Sequence, residues 1–382
     1  MKAKYDLFLF CGEPSGDLHG AALLKELYNH NPNLKVLAVA GPKMRALGVD
    51  CFMKMENFQV MGLYDLIFTY IKIYLLGLII EKKILSIHPT TTLFIDYSSF
   101  SLVVENDLRM KGYTGKLIHF ISPTVWHRAE SRIKKMEKNL DKLLCILPYE
   151  PSYFSSSFNV SYVGNPVFSY IRKHVYQPIE DLYDKKIISF FPGSRPKIIL
   201  RNFPIYCKFI ASWMKKHPDF HFAISVTDEK FTNWMKKQLK KEGTYLVGRV
   251  HFIPSNRNYD LMRISHLAIA KSGTVSLELA LHNVPSVVTY AMPKLDQLVA
   301  TKLFKFNLSM SYAQPNILAK KKIFAELIGP NFTLSHLEEE VTRLLDPNIY
   351  LKCQQDCQEL KSILGNLDTP KEAANQILQL MQ

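Results

Sequence analysis

Short apolar runs alternate with longer stretches of helical periodicity along nearly the whole chain. Tyr5 to Phe10 is short, apolar and aromatic, the pattern of a parallel strand buried on both faces. Leu18 to Leu27 follows with apolar residues at helical spacing. Comparable runs at 34–40, 92–95, 117–121, 143–147 and 160–163 are each predicted as strands. The stretch 173–185 is polar, contains Pro178 and reads as a linker. A second series then begins, with strands predicted at 186–191, 220–226, 250–253, 267–270 and 286–289 and the clearest helix starting near Thr274. After Asn331 the pattern is helical, broken at Pro347 and Pro370. Such alternation predicts an α/β fold built on parallel sheets. Two Rossmann-like halves joined by a linker imply a cleft between them, and the expected boundaries are 1–172, 173–350 and a helical tail 351–382.

One segment stands apart. Leu63 to Ile80 is long and very apolar, but Asp65 and Lys72 interrupt it. A spanning helix needs about 20 nearly uninterrupted apolar residues. The segment therefore fits either a buried core helix or a surface that dips into one leaflet, with Lys72, Lys82 and Lys83 meeting headgroups.

Composition narrows the classes. The chain has 382 residues, 47% apolar and 21% charged, with a formal net charge of +14. That length suits two domains, and the basic balance favours nucleic acid, anionic lipid or phosphorylated ligands. No basic arm with interleaved aromatics occurs, so no nucleic-acid partner is expected. The six cysteines form no CxxC, which fits buried thiols in a reducing cytoplasm, and Cys353 and Cys357 read as packing on one helix face. No metal site is expected. Asp6 interrupts the first apolar run and no small-residue cleavage site follows, so no signal peptide is expected.

Candidate chemistry lies at two strand-to-helix turns. In Cys11 to Gly20, CGEPSGDLHG, Gly12 and Gly16 suit a tight turn, and Ser15 and Asp17 are N-cap residue types. The stretch is neither a dinucleotide GxGxxG nor a P-loop. Glu13 would repel phosphate, whereas Glu13 with Ser15 suits a ligand rich in hydroxyls. The same residues also fit a plain capped helix start. The second turn, Lys271-Ser272-Gly273-Thr274, opens the predicted helix 275–281. Its N–H groups, with Ser272 and Thr274, make an anion site. Glu278, one turn on, is placed to accept from vicinal ribose hydroxyls. The combination describes a nucleoside diphosphate, and Arg195, after its own strand, is a fixed cation able to reach it; the same residues also fit an ordinary capped helix with a surface Glu.

Taken in order, these motifs resemble the lipid-A-disaccharide synthase family over nearly the whole chain. They are GEPSGDLHGA, AGPKM at 40–44, Val60-Met61-Gly62, SPTVW at 122–126, PGSR at 192–195, SGT with Glu278, Pro285 and Tyr290, Pro315-Asn316 and Glu326-Leu327. The resemblance implies an inverting glycosyltransferase of GT-B architecture, with C-terminal helices packing back toward the N-terminal domain. It implies UDP-2,3-diacylglucosamine as donor, 2,3-diacylglucosamine 1-phosphate as acceptor, and UDP and the β-1,6-linked disaccharide phosphate as products. It carries a catalytic role onto Asp96, as base or as orienting group for the acceptor hydroxyl, with Glu13 and Arg195 beside it. Ser272, Gly273, Thr274, Glu278, Arg195 and Asn316 fall on the donor side, and Glu13, Ser15 and Asn316 on sugar hydroxyls. No cofactor or metal is implied. Acylated substrates imply an enzyme at the cytoplasmic face of the inner membrane of a Gram-negative-type bacterium, on anionic lipid, and a homodimer is compatible with it.

The chain departs from the family pattern where an acid is usual three residues after Asp96, which is Ser99 here, and where a Glu is usual after PGSR, which is Ile198. Asn165 stands for a His, Ser169 for an Asp and Arg128 for a second Trp. A non-catalytic lipid- or nucleotide-binding paralogue is therefore the competing expectation. A different UDP-sugar enzyme, such as an epimerase, is disfavoured because GEPSGD is not a general UDP-sugar motif.

Overall fold

A computed structural model describes residues 4–58, 66–123, 125, 130–243, 248–292 and 311–381. Val60-Met61-Gly62, Thr124, Trp126 and Arg128 lie outside the described residues. The chain divides into two units, one of residues 1–169 with 366–382 and one of residues 170–365.

The first unit is built on β1 (Leu7–Cys11), α1 (Pro14–His30), β2 (Val36–Ala40), α2 (Pro42–Arg45), β3 (Asp50–Lys54), α3 (Leu66–Ile87), β4 (Thr91–Ile95), α4 (Ser98–Met110), β5 (Lys116–Phe120), α5 (Glu130–Asn139), β6 (Lys142–Cys145), β7 (Val160–Tyr162) and α6 (Pro166–Lys173). The strands form one sheet in the order β3-β2-β1-β4-β5-β6-β7, and every pair is parallel. LFLFC, VLAVA and TTLFI are buried along their length because helices cover both faces. Leu23, Leu24 and Leu27 of α1 pack on one face with Ala373, Ala374 and Ile377 of the C-terminal helix. Ile80 and Ile84 of α3, with Phe100, Val104 and Leu108 of α4, pack on the other. β3 was not legible as a strand, because DCFMK is a largely exposed edge without an apolar run.

The second unit follows with β8 (Lys186–Phe191), α7 (Pro196–Lys216), β9 (Phe220–Val226), α8 (Glu229–Lys241), β10 (Val250–Pro254), α9 (Asn258–Ile264), β11 (Leu267–Lys271), α10 (Thr274–Leu281), β12 (Ser286–Tyr290) and β13 (Ala325–Ile328). Its sheet runs β10-β9-β8-β11-β12-β13, again parallel throughout. Phe203, Tyr206, Phe209 and Trp213 of α7 fill its core against Phe190 and Phe222.

Three expectations need correction. Residues 351–382 are not one tail: helix Pro347–Leu364 belongs to the second unit, and only helix Thr369–Met381 returns to the first. The stretch 173–185 is not a free linker. Asp260 of α9 takes a hydrogen bond from Gln177 N at 2.9 Å and pairs with His174 at 3.0 Å. Third, neither Ser15 nor Asp17 caps α1. The cap position is Glu13, in extended backbone, with Pro14 in the first turn, where its missing N–H costs nothing. Ser15 is exposed in that turn.

Asp17 is instead buried and reaches sideways to α2. Its carboxylate accepts from Lys43 N at 2.8 Å and from Met44 N at 3.1 Å. Gly41 is required beside it, since a Cβ there would lie 2.3 Å from the Asp17 carboxyl carbon. The GEPSGD and AGPKM motifs are thus two halves of one contact. Asp17→Ala leaves two N–H groups unpaired and should lower unfolding free energy by about 1–3 kcal/mol, read from urea denaturation. An unchanged midpoint would show that water replaces the carboxylate without loss.

Candidate functional sites

In each sheet the strand order reverses once, and the reversal opens a crevice at the carboxyl ends of the two strands that flank it. In the first unit these are β1 and β4, in register from Leu7 opposite Thr91 to Cys11 opposite Ile95. The next residues, Gly12-Glu13 and Asp96-Tyr97, therefore emerge side by side.

Asp96 and Tyr97 both have left-handed backbone, at φ of 54° and 55°. For residues with a Cβ this costs about 1–2 kcal/mol each, and Asp tolerates it best. The turn is held by Asp96 N donating to Phe120 O at 2.9 Å and by Ser101 Oγ donating to Asp96 O at 2.9 Å. Stored backbone strain of this kind clusters at functional sites. The Tyr97 ring lies against Gly12, where a Cβ would come within 2.7 Å of its Cγ. Close approach, not the bend alone, is what demands glycine there. Burial, and then the charge of Glu13, push the Tyr97 phenol up. Glu13 and Tyr97 thus share one electrostatic neighbourhood, with Asp96 next to it in the chain. Ser99 is exposed in the first turn of α4.

The crevice of the second unit lies between β8 and β11, where Phe191 pairs with Ala270. Here the structure holds a cavity of about 370 Å³ lined by Arg195, Ile198, Lys271, Gly273, Thr274 and Glu278, among others. Arg195 occupies the cap position of α7 and is exposed. The eight-residue α10 begins at Thr274 with no side chain capping its N–H groups, so they open toward the cavity. Glu278, one turn on, is half-buried, and burial raises its pKa. The Tyr259 hydroxyl of α9 donates to its Oε1 at 3.3 Å and counters that rise. Ser225, Thr227 and Asn258 complete the wall, and Thr227 is shared with an adjoining groove of about 540 Å³ that contains Phe252, Pro254 and Asn256. An anion at the α10 start and a hydroxyl-bearing group at Glu278 are what this geometry can hold.

Several expected residues stand elsewhere. Ser272 is not part of the cavity wall, and its hydroxyl donates to Tyr312 O at 3.5 Å. Asn316 is buried with its whole amide engaged. Its Nδ2 donates to Phe324 O at 2.8 Å and Glu326 Oε1 at 2.7 Å, and its Oδ1 accepts from Ile323 N at 2.8 Å and Phe324 N at 2.9 Å. Four bonds exhaust a primary amide, so in this structure the whole amide of Asn316 is engaged within the protein. It braces Glu326, which in turn accepts from Tyr312 N at 2.7 Å. Asn165 and Ser169 are also structural. Asn165 Oδ1 accepts from Val167 N at 3.1 Å at the start of α6. Ser169 Oγ accepts from Thr369 N at 3.0 Å and ties down the returning C-terminal helix.

Lys271 and Tyr259 were missed. Lys271 ends β11 directly before Ser272, and only the parallel pairing of β8 with β11 brings it beside Arg195. Tyr259 sits in NYDLMRI, a helix whose sequence carries no site signature. Among the described residues, no group of three or more His, Cys, Asp or Glu could hold a metal ion.

The profile of a family described as lipid-A-disaccharide synthetase matches residues 7–379. The lipid-A-disaccharide synthase of Chlamydia caviae is 34% identical over 382 residues, spanning 97% of this chain and 60% of that protein. The chain thus spans about three fifths of the Chlamydia relatives it matches. The synthase of Geobacter metallireducens is 26% identical and is matched over 97% of its length. Among solved structures, UDP-GlcNAc 2-epimerase from Neisseria meningitidis bound to UDP-GlcNAc has a TM-score of 0.63 at 15% identity, covering 98% of this chain and 99% of that one. An Escherichia coli trehalose-6-phosphate structure with UDP-2-fluoro glucose has a TM-score of 0.56 at 11% identity, with coverage of 98% and 99%. At these identities the structural likeness speaks for the fold alone.

Tyr259→Phe removes a hydrogen bond that favours the Glu278 carboxylate, so Glu278 should titrate at still higher pH in that variant. Carbon NMR of the labelled carboxyl group reads this directly; an unmoved titration would dismiss the Tyr259 contact.

Proposed function

This chain belongs to the lipid-A-disaccharide synthetase family, and we propose that it transfers a diacylglucosamine from its UDP donor to diacylglucosamine 1-phosphate, forming the β-1,6 disaccharide phosphate and UDP. The cavity joining Arg195, the open α10 terminus and Glu278 carries this reading, because it matches a nucleoside diphosphate group by group. The diphosphate takes the helix N–H groups and Arg195, and the ribose hydroxyls donate to Glu278. The adjoining groove with Phe252 and Pro254 offers room for the base.

Transfer with inversion forms one bond from the acceptor 6-oxygen to the donor anomeric carbon and breaks the bond from that carbon to the diphosphate oxygen. The acceptor hydroxyl proton goes to Asp96. The electron pair of the broken bond stays on UDP, whose growing charge Arg195 and the α10 terminus stabilise. Glu13 and Ser15, exposed after β1, take acceptor hydroxyls.

Ile198, on the cavity wall in place of an acid, favours a second reading in which the protein binds UDP-sugars without turnover. Disaccharide formation from radiolabelled acceptor phosphate decides between the two. Asp96→Asn should be slower than the parent by about 10²–10⁴-fold, the usual worth of a general base. Product at the parental rate would move the chemistry to another residue. No product from the parent, with UDP still bound, would make it a binding protein.

Acylated substrates also call for contact with a bilayer, and α3 supplies the surface. Ile73, Leu76 and Ile80 face the core, whereas Tyr70, Ile71, Tyr74, Leu75, Leu78 and Ile79 are exposed along one stripe. Lys72 and Lys82 are exposed on the same helix. No helix among the described residues is long and apolar enough to cross a membrane. An apolar stripe with cations fits an anionic leaflet, entered only in part. Leu75, Leu78 and Ile79 replaced together by Ser should leave the circular dichroism unchanged and abolish flotation with anionic vesicles. A folded triple variant that still floats would reject the surface.

A further inference from the structure

We propose that Lys271 is a second phosphate-binding cation of the donor cavity, making the site selective for a diphosphate over a monophosphate. The inference rests on the UDP reading above and adds a residue that neither the SGT turn nor PGSR contains.

Lys271 and Arg195 line the same cavity from different strands, Lys271 at the end of β11 and Arg195 in the loop after β8. Among the described residues neither forms an ion pair. The Lys271 ammonium stands 3.4 Å from where a Cβ on Gly273 would lie, directly before the open end of α10. The groups facing it are Arg195, the Glu278 carboxyl deeper in the cavity, and the Tyr290 ring of β12 at 5.6 Å. Two unpaired cations converging on one helix terminus repel each other while the cavity lacks an anion. A diphosphate relieves that repulsion more than a monophosphate does, having more charge to share between them.

A proton linkage follows. Burial, and then the charge of Arg195, push the Lys271 ammonium below the ordinary lysine range. A bound diphosphate favours the charged form and raises it again. In the alkaline window between those two values, binding takes up a proton, and affinity falls as pH rises through the lower one.

The full chain is titrated calorimetrically with UDP and with UMP at neutral pH, then with UDP at alkaline pH in two buffers of different ionisation enthalpy. Lys271→Met should weaken UDP by about 10–100-fold, the range of a charged hydrogen bond, and UMP far less. Lys271→Arg should recover UDP affinity yet bind without proton uptake, because its guanidinium stays charged. Met-variant affinity for UDP equal to the parent's overturns the proposal. So does an equal loss for UDP and UMP that Arg fails to restore, which would mean a structural role. A parent that binds no UDP removes the donor reading and this inference together, an outcome distinct from failure of the Lys271 variants alone.

Discussion

The parallel pairing of non-consecutive strands is what every candidate residue depends on. β1 lies beside β4, and β8 beside β11, so in each unit the chain turns one way on one side and the other way on the other. Two loops then leave adjacent strand ends in opposite directions and a crevice opens between them. Asp96 meets the Glu13 loop only because Cys11 pairs with Ile95. Arg195 meets the SGT turn only because Phe191 pairs with Ala270. A slip of one residue in either ladder would move every side chain of the strand to the opposite face of the sheet and these groups away from each other.

Around those ladders the motif residues divide their labour. Asp17 and Gly41 lock the first turn to the second, and Asn316 and Glu326 brace the chain near Tyr312. The hydrogen bonds of these residues go to the protein's own chain. Glu13, Asp96, Arg195 and Thr274 lie in the turns that follow their strands, and Glu278 lies one helical turn beyond Thr274. The same short motif can hold both kinds: in GEPSGD, Glu13 is exposed, while Asp17 is spent on the backbone N–H groups of Lys43 and Met44. The strained pair Asp96-Tyr97 is tolerable because the buried sheet below it over-determines the backbone.

The long apolar helix α3 has one buried face and one exposed face. Ile73, Leu76 and Ile80 complete the core, and among the described residues none covers the stripe from Tyr70 to Ile79. Composition alone could not distinguish a core helix from a surface one, because both are apolar. The difference lies in which residues the neighbouring α4 covers, and that is a property of packing.

The sequence by itself determined the fold class, most of the strands and the two strand-to-helix turns, since burial of short apolar runs and helical periodicity are local properties of the chain. It also pointed to Glu13, Arg195, Thr274 and Glu278 through their offsets from strand ends, and the family resemblance pointed to Asp96. Tertiary structure decided the rest. It turned Asp17 and Asn316 from candidate ligands or caps into internal braces and took Ser272 off the cavity wall. It divided the C-terminal helices between the two units and brought Lys271 and Tyr259 to Arg195 and Glu278. A hydrogen bond between residues far apart in the chain leaves no periodic trace in either segment. Whether a polar side chain meets ligand or backbone is therefore settled only when the sheets close.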